Sequence, residues 1–130
     1  MSERSVEIVT EAIDAFNRRD AATLGSLASA DLQFTGGVIG ARTYRGPEGT
    51  ANFLRDVDAA WSEFRIVVDH VSDLGDVVVV YEHVIGKGRT TGAPVQHGFF
   101  VVMRVEEGKI TETEAFLSEA EALGAVALRD

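Results

Sequence analysis

The stretch Pro94 to Arg104, PVQHGFFVVMR, sets an imidazole at the start of a run of Val and Phe that otherwise reads as a buried strand. Imidazole titrates near neutrality, so His97 can take and return a proton or hydrogen-bond a ligand carbonyl; it is the candidate catalytic residue. The competing reading is a buried neutral histidine bonded to backbone or water. Tyr81 and His83, in VVVVYEHVIG, are candidate ligand contacts, a phenol to donate to a ligand oxygen and an imidazole to orient it. A tyrosine so placed is equally a core ring whose hydroxyl reaches the rim. His70 brings the histidines to three, but no His-x-His pair lies on one strand and the chain has no cysteine. Metal-ligand spacing is therefore missing, and neither a metal nor another cofactor is expected. Glu112 and Glu114 resemble paired catalytic carboxylates, subject to the face they occupy.

Aiming these groups requires elements, and the apolar spacing supplies them. Val6, Val9, Ile13 and Phe16 share one face of a first helix ending near Arg18 and Arg19. Asp20 caps a shorter helix through Leu24 and Leu27. A strand from Leu32 to Thr35 stops at Gly36-Gly37, and a loop holding Tyr44 leads to Gly46-Pro47-Glu48, a helix start with proline in the first turn and a carboxylate at the positive dipole end. Phe53, Leu54, Val57 and Trp61 form that helix's buried stripe. The period then changes to two, giving antiparallel strands over 64–72, 77–87, 95–106 and 109–117, and Ser118 caps a terminal helix. Helices followed by a run of strands make an α+β fold in which helices cover one face of a curved sheet. Phe16, Phe34, Phe53 and Trp61 read as pocket wall and core, and Tyr44 as a residue of the pocket mouth.

Strand parity then assigns faces. Closing residues 73–76 as a four-residue loop sets Val68 opposite Tyr81, which gathers Phe64, Ile66, His70, Tyr81 and His83 on one face. Arg65, Asp69 and Glu82 fall on the other, toward solvent or a partner subunit. In the last hairpin, a two-residue Glu107-Gly108 turn would set Val101 opposite Glu114 and bring a carboxylate to the His97 face. A type I turn with Gly108 in a G1 bulge sets Val101 opposite Thr113, and is preferred because a type I′ turn wants Asn, Asp or Gly where Glu107 sits. His97, Phe99, Val101, Met103, Thr113, Ala115 and Leu117 then face inward, and Arg104 lies beside Glu112 and Glu114 outside.

Length and charge bound the rest. The 130 residues make one domain, 1–130, with 45% hydrophobic and 25% charged residues, as in an ordinary soluble protein. Twenty-one acidic against twelve basic residues give a net charge of −9 and no basic patch, which argues against nucleic acid or an anionic membrane as partner. The N-terminus lacks the apolar core of a signal peptide, and nothing approaches the roughly 18 apolar residues of a membrane span. A cytoplasmic protein is expected.

The order of elements, with the stretches FNRRDAATLGSLASADLQF, YRGPEGTANFLRD, GAPVQHGFFVVMRVEEGKI and AFLSEAEALGA, resembles the SnoaL-like domains of the nuclear-transport-factor-2-like superfamily over nearly the whole chain. The resemblance implies a cone-shaped, bent sheet around the helices, an apolar pocket for a small organic ligand, and a homodimer formed through the outer sheet face. The superfamily spans ketosteroid isomerases, polyketide cyclases, epoxide hydrolases and non-catalytic binding domains, so fold alone names no reaction. The isomerases' tyrosine and base aspartate align with Ala12 and Gly36, which excludes that site here; their second aspartate falls at or near His97. The hydrolases' Asp-Arg-Asp relay has no counterpart on the inner face. A cyclase-type histidine has one in His97. What remains is a small-molecule-binding protein with His97 as acid or base and Tyr81, His83, Phe99, Trp61, Phe16 and Tyr44 as ligand contacts. A non-catalytic binding or dimerisation module is the alternative, and a carboxylate inside the cone is what would separate the two.

Overall fold

The structure, a computed structural model, describes residues 2–35 and 42–129, and its first half is mainly helical. It contains α1 (Ser2–Arg18), α2 (Ala21–Ser26), β1 (Gln33–Thr35), β2 (Thr43–Arg45) and α3 (Gly46–Ala60). There follow β3 (Trp61–Asp73), β4 (Val77–Gly88), β5 (Pro94–Glu106), β6 (Lys109–Phe116) and α4 (Glu119–Arg129). The strand stop expected at Gly36-Gly37 lies outside the described residues. Two expectations change at boundaries. Residues 43–45, read as loop, pair antiparallel with β1 and set Phe34 opposite Tyr44; three residues are too few to show a period. Trp61, read as the end of a helical stripe, has extended backbone and opens β3.

Strands β3 to β6 pair in sequence order as one antiparallel sheet. Ile8, Val9, Ala12 and Ile13 of α1 pack across its inner face against Val78, Val80, Val105 and Ile110. Phe16, at the end of α1, joins Leu54 and Val57 of α3 with Phe64 and Val84. On the outer face, Ala122 and Val126 of α4 cover Val77, Val79 and Val102. Ser118 caps α4: its hydroxyl accepts the Glu121 N–H at 3.2 Å and donates to the Glu121 carboxylate at 3.1 Å. The Asp20 side chain likewise accepts the Thr23 N–H at 3.1 Å to start α2. Among the described residues, no helix is long and apolar enough to cross a membrane.

Hairpin register decides which side chains reach the interior. In β3 and β4, Ile66 opposes Val84 and Val68 opposes Glu82, but past a bulge at Asp69 the pairs become His70 with Tyr81 and Ser72 with Val79. One extra residue reverses the parity of β3 while β4 runs straight. Strand β4 therefore turns Val78, Val80, Glu82 and Val84 inward, and Val77, Val79, Tyr81 and His83 outward. This corrects the face expected for Tyr81, His83 and Glu82; a register carried through without the bulge put each on the wrong side.

The last hairpin takes neither expected form. Glu106 opposes Lys109 across a two-residue turn in which Glu107 and Gly108 have φ of 51° and 78°, as a primed turn requires. Its twist suits the flanking strands, and that outweighs the roughly 1–2 kcal/mol cost of a left-handed non-glycine residue. The extra residue is Thr111, bulged between the pairs Arg104 with Glu112 and Val105 with Ile110, so Val101 opposes Ala115 rather than Thr113. Thr113 and Ala115 keep the inward parity, and Arg104 lies 3.7 Å from Glu112 outside.

Candidate functional site

Two side chains lock the helical layer to the sheet. Asn17 donates from Nδ2 to the Ile66 carbonyl at 2.8 Å and accepts the Ile66 N–H at 2.9 Å, taking both backbone groups of a residue on the edge strand β3. Arg19, left-handed just past α1, donates to the Phe16 and Phe64 carbonyls and to Asp58 Oδ1, each at 2.8 Å. The end of α1, α3 and β3 are thereby held in one arrangement. Phe16 can then pack against Phe53 and Phe64, with ring centroids 5.7 and 5.9 Å away.

Between these rings and the inner sheet face lies a cavity of about 820 Å³, a volume usual for small-molecule sites. Phe16, Phe34, Phe53, Phe64 and Phe99 line it, with Ile13, Ile66, Val84 and Met103 between them. Glu82 stands in this wall. It is 5% exposed and its Oε1 has no hydrogen-bond partner among the described residues. Loss of solvent without compensating donors favours the neutral acid, and burial raises this carboxyl from 4.5 to about 7. A group titrating there can both accept and return a proton near neutral pH. Thr113 adds a hydroxyl to the lining, and Asp31, Glu112 and Glu114 border it.

The residues singled out from sequence separate into three groups. Phe16 and Phe99 line the cavity. Tyr44 and Trp61 stand outside the lining and brace it. Tyr44 is 3% exposed, with its ring 5.3 Å from Phe34 and 5.1 Å from Phe53, so it is no mouth residue. Its hydroxyl donates to Asp56 at 2.6 Å, and Arg42 donates to the same oxygen at 2.7 Å. Burial first, then the Asp56 carboxylate, push Tyr44 up to about 12, while the Tyr44 hydrogen bond, helped by Arg42, lowers Asp56. Trp61 packs 5.5 Å from Phe64 with its Nε1 buried and unpartnered.

The third group lies away from the interior. Tyr81 stacks on Phe100 at 4.6 Å on the outer face, and His83 Nδ1 lies 2.7 Å from Asp69 Oδ2, the carboxylate of the bulged residue. His70, opposite Tyr81, is exposed. His97 has inward parity, opposite Val84, yet stands beyond the cavity lining, exposed, with its ring 4.7 Å from Phe99. The buried titratable side chain in the cavity wall is Glu82. Sequence reasoning missed Glu82 through the register, although a carboxylate within VVVVYEHV was a visible signal: a strand that apolar has few reasons to carry one.

A family model for the SnoaL-like domain matches residues 9–113. The chain belongs to the SnoaL-like domain family. Among solved structures, this SnoaL-like domain is similar to an NTF2-like protein of Burkholderia thailandensis, with 26% identity, 92% and 96% of the two chains covered and a TM-score of 0.78. A ketosteroid isomerase-like fold protein of Catenulispora acidiphila in complex with trimethylamine is 22% identical, with 91% and 90% coverage and a TM-score of 0.76. TerC co-crystallised with polyporic acid is 19% identical, with 95% and 98% coverage and a TM-score of 0.75. At such identities these likenesses establish the fold. No curated protein matches the sequence. Ala12, expected to align with the isomerases' tyrosine, lines the cavity, and Gly36, expected to align with their base aspartate, lies outside the described residues.

Proposed function

We propose that this SnoaL-like domain is a cytoplasmic, cofactor-independent enzyme that moves a proton on a small apolar substrate held in its cavity, as an isomerase or cyclase does, with Glu82 as the acid–base group. The observation that carries the reading is the unpartnered Glu82 carboxyl in the wall of a phenylalanine-lined cavity. Glu82 as carboxylate takes a proton from carbon next to a substrate carbonyl; the C–H electron pair moves into the carbonyl to form an enol or enolate. The proton now on Glu82 exchanges with solvent, and Glu82 delivers a proton to a different atom of the substrate. Asn17 and Arg19 act by holding the aromatic wall in place, and Thr113 offers a hydroxyl to the substrate oxygen.

Solvent-exchange measurements test this. In D2O at pD 8, a panel of cyclic ketones and enones is incubated with the protein, and deuterium at carbon is read by mass spectrometry. Exchange of at least one member by the native protein and its loss in Glu82→Gln is the expected result. Equal exchange by both proteins, or ligand binding by both with exchange by neither, returns the chain to a non-catalytic binding module.

We also propose a homodimer through the part of the outer face that α4 leaves open. There Tyr81 is 39% exposed and stacks on Phe100. Sedimentation of native protein and Tyr81→Arg checks it: dimer for the first, monomer for the second.

A further inference from the structure

The cavity has a one-sided charge. Glu82 is set into its wall and Asp31, Glu112 and Glu114 border it, whereas no Lys, Arg or His belongs to the described lining. Residues 36–41 read GGVIGA and bring no charged side chain. Arg104 pairs with Asp76 at 3.1 Å and with Glu112 at 3.7 Å, Arg19 with Asp58 at 2.8 Å and Arg42 with Asp56 at 2.7 Å, while exposed Arg45 donates to the Gln33 side chain at 2.8 Å and is not itself part of the lining. Among the described residues nothing in this wall compensates an ionised Glu82, and its Oε1 has no hydrogen-bond donor among them.

The rest of the wall favours the same sign. Phe34 and Phe53 meet edge to face at 5.3 Å, and Phe16, Phe64 and Phe99 line the same space. Benzene rings without polar substituents hold an organic cation over their faces and offer an anion nothing equivalent. A buried carboxylate needs a charge partner, and no described residue of the lining supplies one, which leaves that place to the ligand. An anionic ligand would meet Glu82 with no cation in the described lining to offset the repulsion, and a neutral hydrocarbon would leave it unpaired.

We propose that the cavity selects a small hydrophobic amine, an apolar body carrying a protonated or quaternary ammonium, with Glu82 as its counter-ion and the phenylalanines as its cage. This rests on reading the cavity as the ligand site and adds the chemical class of the ligand. Because the pair requires ionised Glu82, binding a permanent cation releases the Glu82 proton at acidic pH. Affinity therefore rises with pH and levels off once Glu82 is ionised in the free protein. Asp31, Glu112 and Glu114 are the other titratable groups bordering the cavity, and the first lies outside the sheet while Glu112 is turned to Arg104.

Three probes of one shape class test it by NMR titration and thermal shift at pH 8: benzyltrimethylammonium, its neutral carbon isostere neopentylbenzene, and phenylacetate. The expected order is cation first, at least tenfold tighter than the hydrocarbon, with no binding of the anion. Glu82→Gln is expected to weaken benzyltrimethylammonium tenfold or more while changing neopentylbenzene by less than twofold. Neopentylbenzene binding as tightly as the cation, or a cation affinity unchanged in Glu82→Gln, overturns the amine proposal and leaves the cavity as a ligand site. Absence of binding by all three overturns both.

Discussion

Glu82 and His83 are neighbours on one strand, and the sheet treats them in opposite ways. His83 faces outward, where Asp69 meets its ring at 2.7 Å and solvent screens the pair. Glu82 faces inward, 5% exposed among phenylalanines, and its Oε1 meets no donor among the described residues. The outer pair is the self-sufficient one. The inner residue is unfinished without a proton or a ligand, which marks a site built at some cost to stability.

That contrast can be broken from its inner side first. Glu82→Gln should remove proton transfer almost entirely, a loss of about 10²–10⁴-fold in rate, the usual contribution of a general acid–base group; the solvent-exchange rate measures it. The same variant should be more stable than the native protein. With the folded-state carboxyl raised from 4.5 to about 7, the folded protein holds more protons than the unfolded chain between those values, so native stability falls as pH rises through that window. The full drop is of the order of 3 kcal/mol, and urea unfolding at pH 5 and pH 8 should show it in the native protein and not in Glu82→Gln.

Removing the wall rather than its acid should be nearly as severe. Phe64→Ala takes away a ring packed against Phe16 and Trp61, and about 3–5 kcal/mol of unfolding free energy should go with it. Tyr44→Phe, which deletes only a hydroxyl bonded to Asp56, should cost about 1–3 kcal/mol in the same assay, because Arg42 remains to hold that carboxylate. On the outer face Asp69→Asn should change stability by less than about 1 kcal/mol and leave solvent exchange untouched. A large catalytic effect there would erase the distinction between the two faces.

Much of this was readable before the structure. The period of three to four in Val6, Val9, Ile13 and Phe16, the caps at Asp20 and Ser118, and the Gly-Pro-Glu helix start each have a local physical cause, and each element formed. The site was less readable because it depends on parity, which a single residue can invert. Nothing in the composition around Asp69 announces a bulge, and residues 77–80 are buried whichever way they point, so the valines of β4 could not report their own orientation. Crossing that bulge unknowingly put Tyr81 and His83 inside and Glu82 outside. The parity of β5 was read correctly, but parity says nothing of depth: His97 faces inward and still stands beyond the cavity. Glu107 shows a further limit, since the twist of two long strands overrode a local turn preference.

The central claim is that Glu82 is a buried, unpaired carboxyl facing the cavity, and its titration reports this directly. In protein labelled with 13C at the glutamate carboxyls, the Glu82 resonance is the one missing from Glu82→Gln. A midpoint close to 7 for that resonance, moving to lower pH when benzyltrimethylammonium is added, is the predicted result. A midpoint near 4.5, unmoved by the cation, would mean a solvated or already partnered carboxylate and would contradict the account.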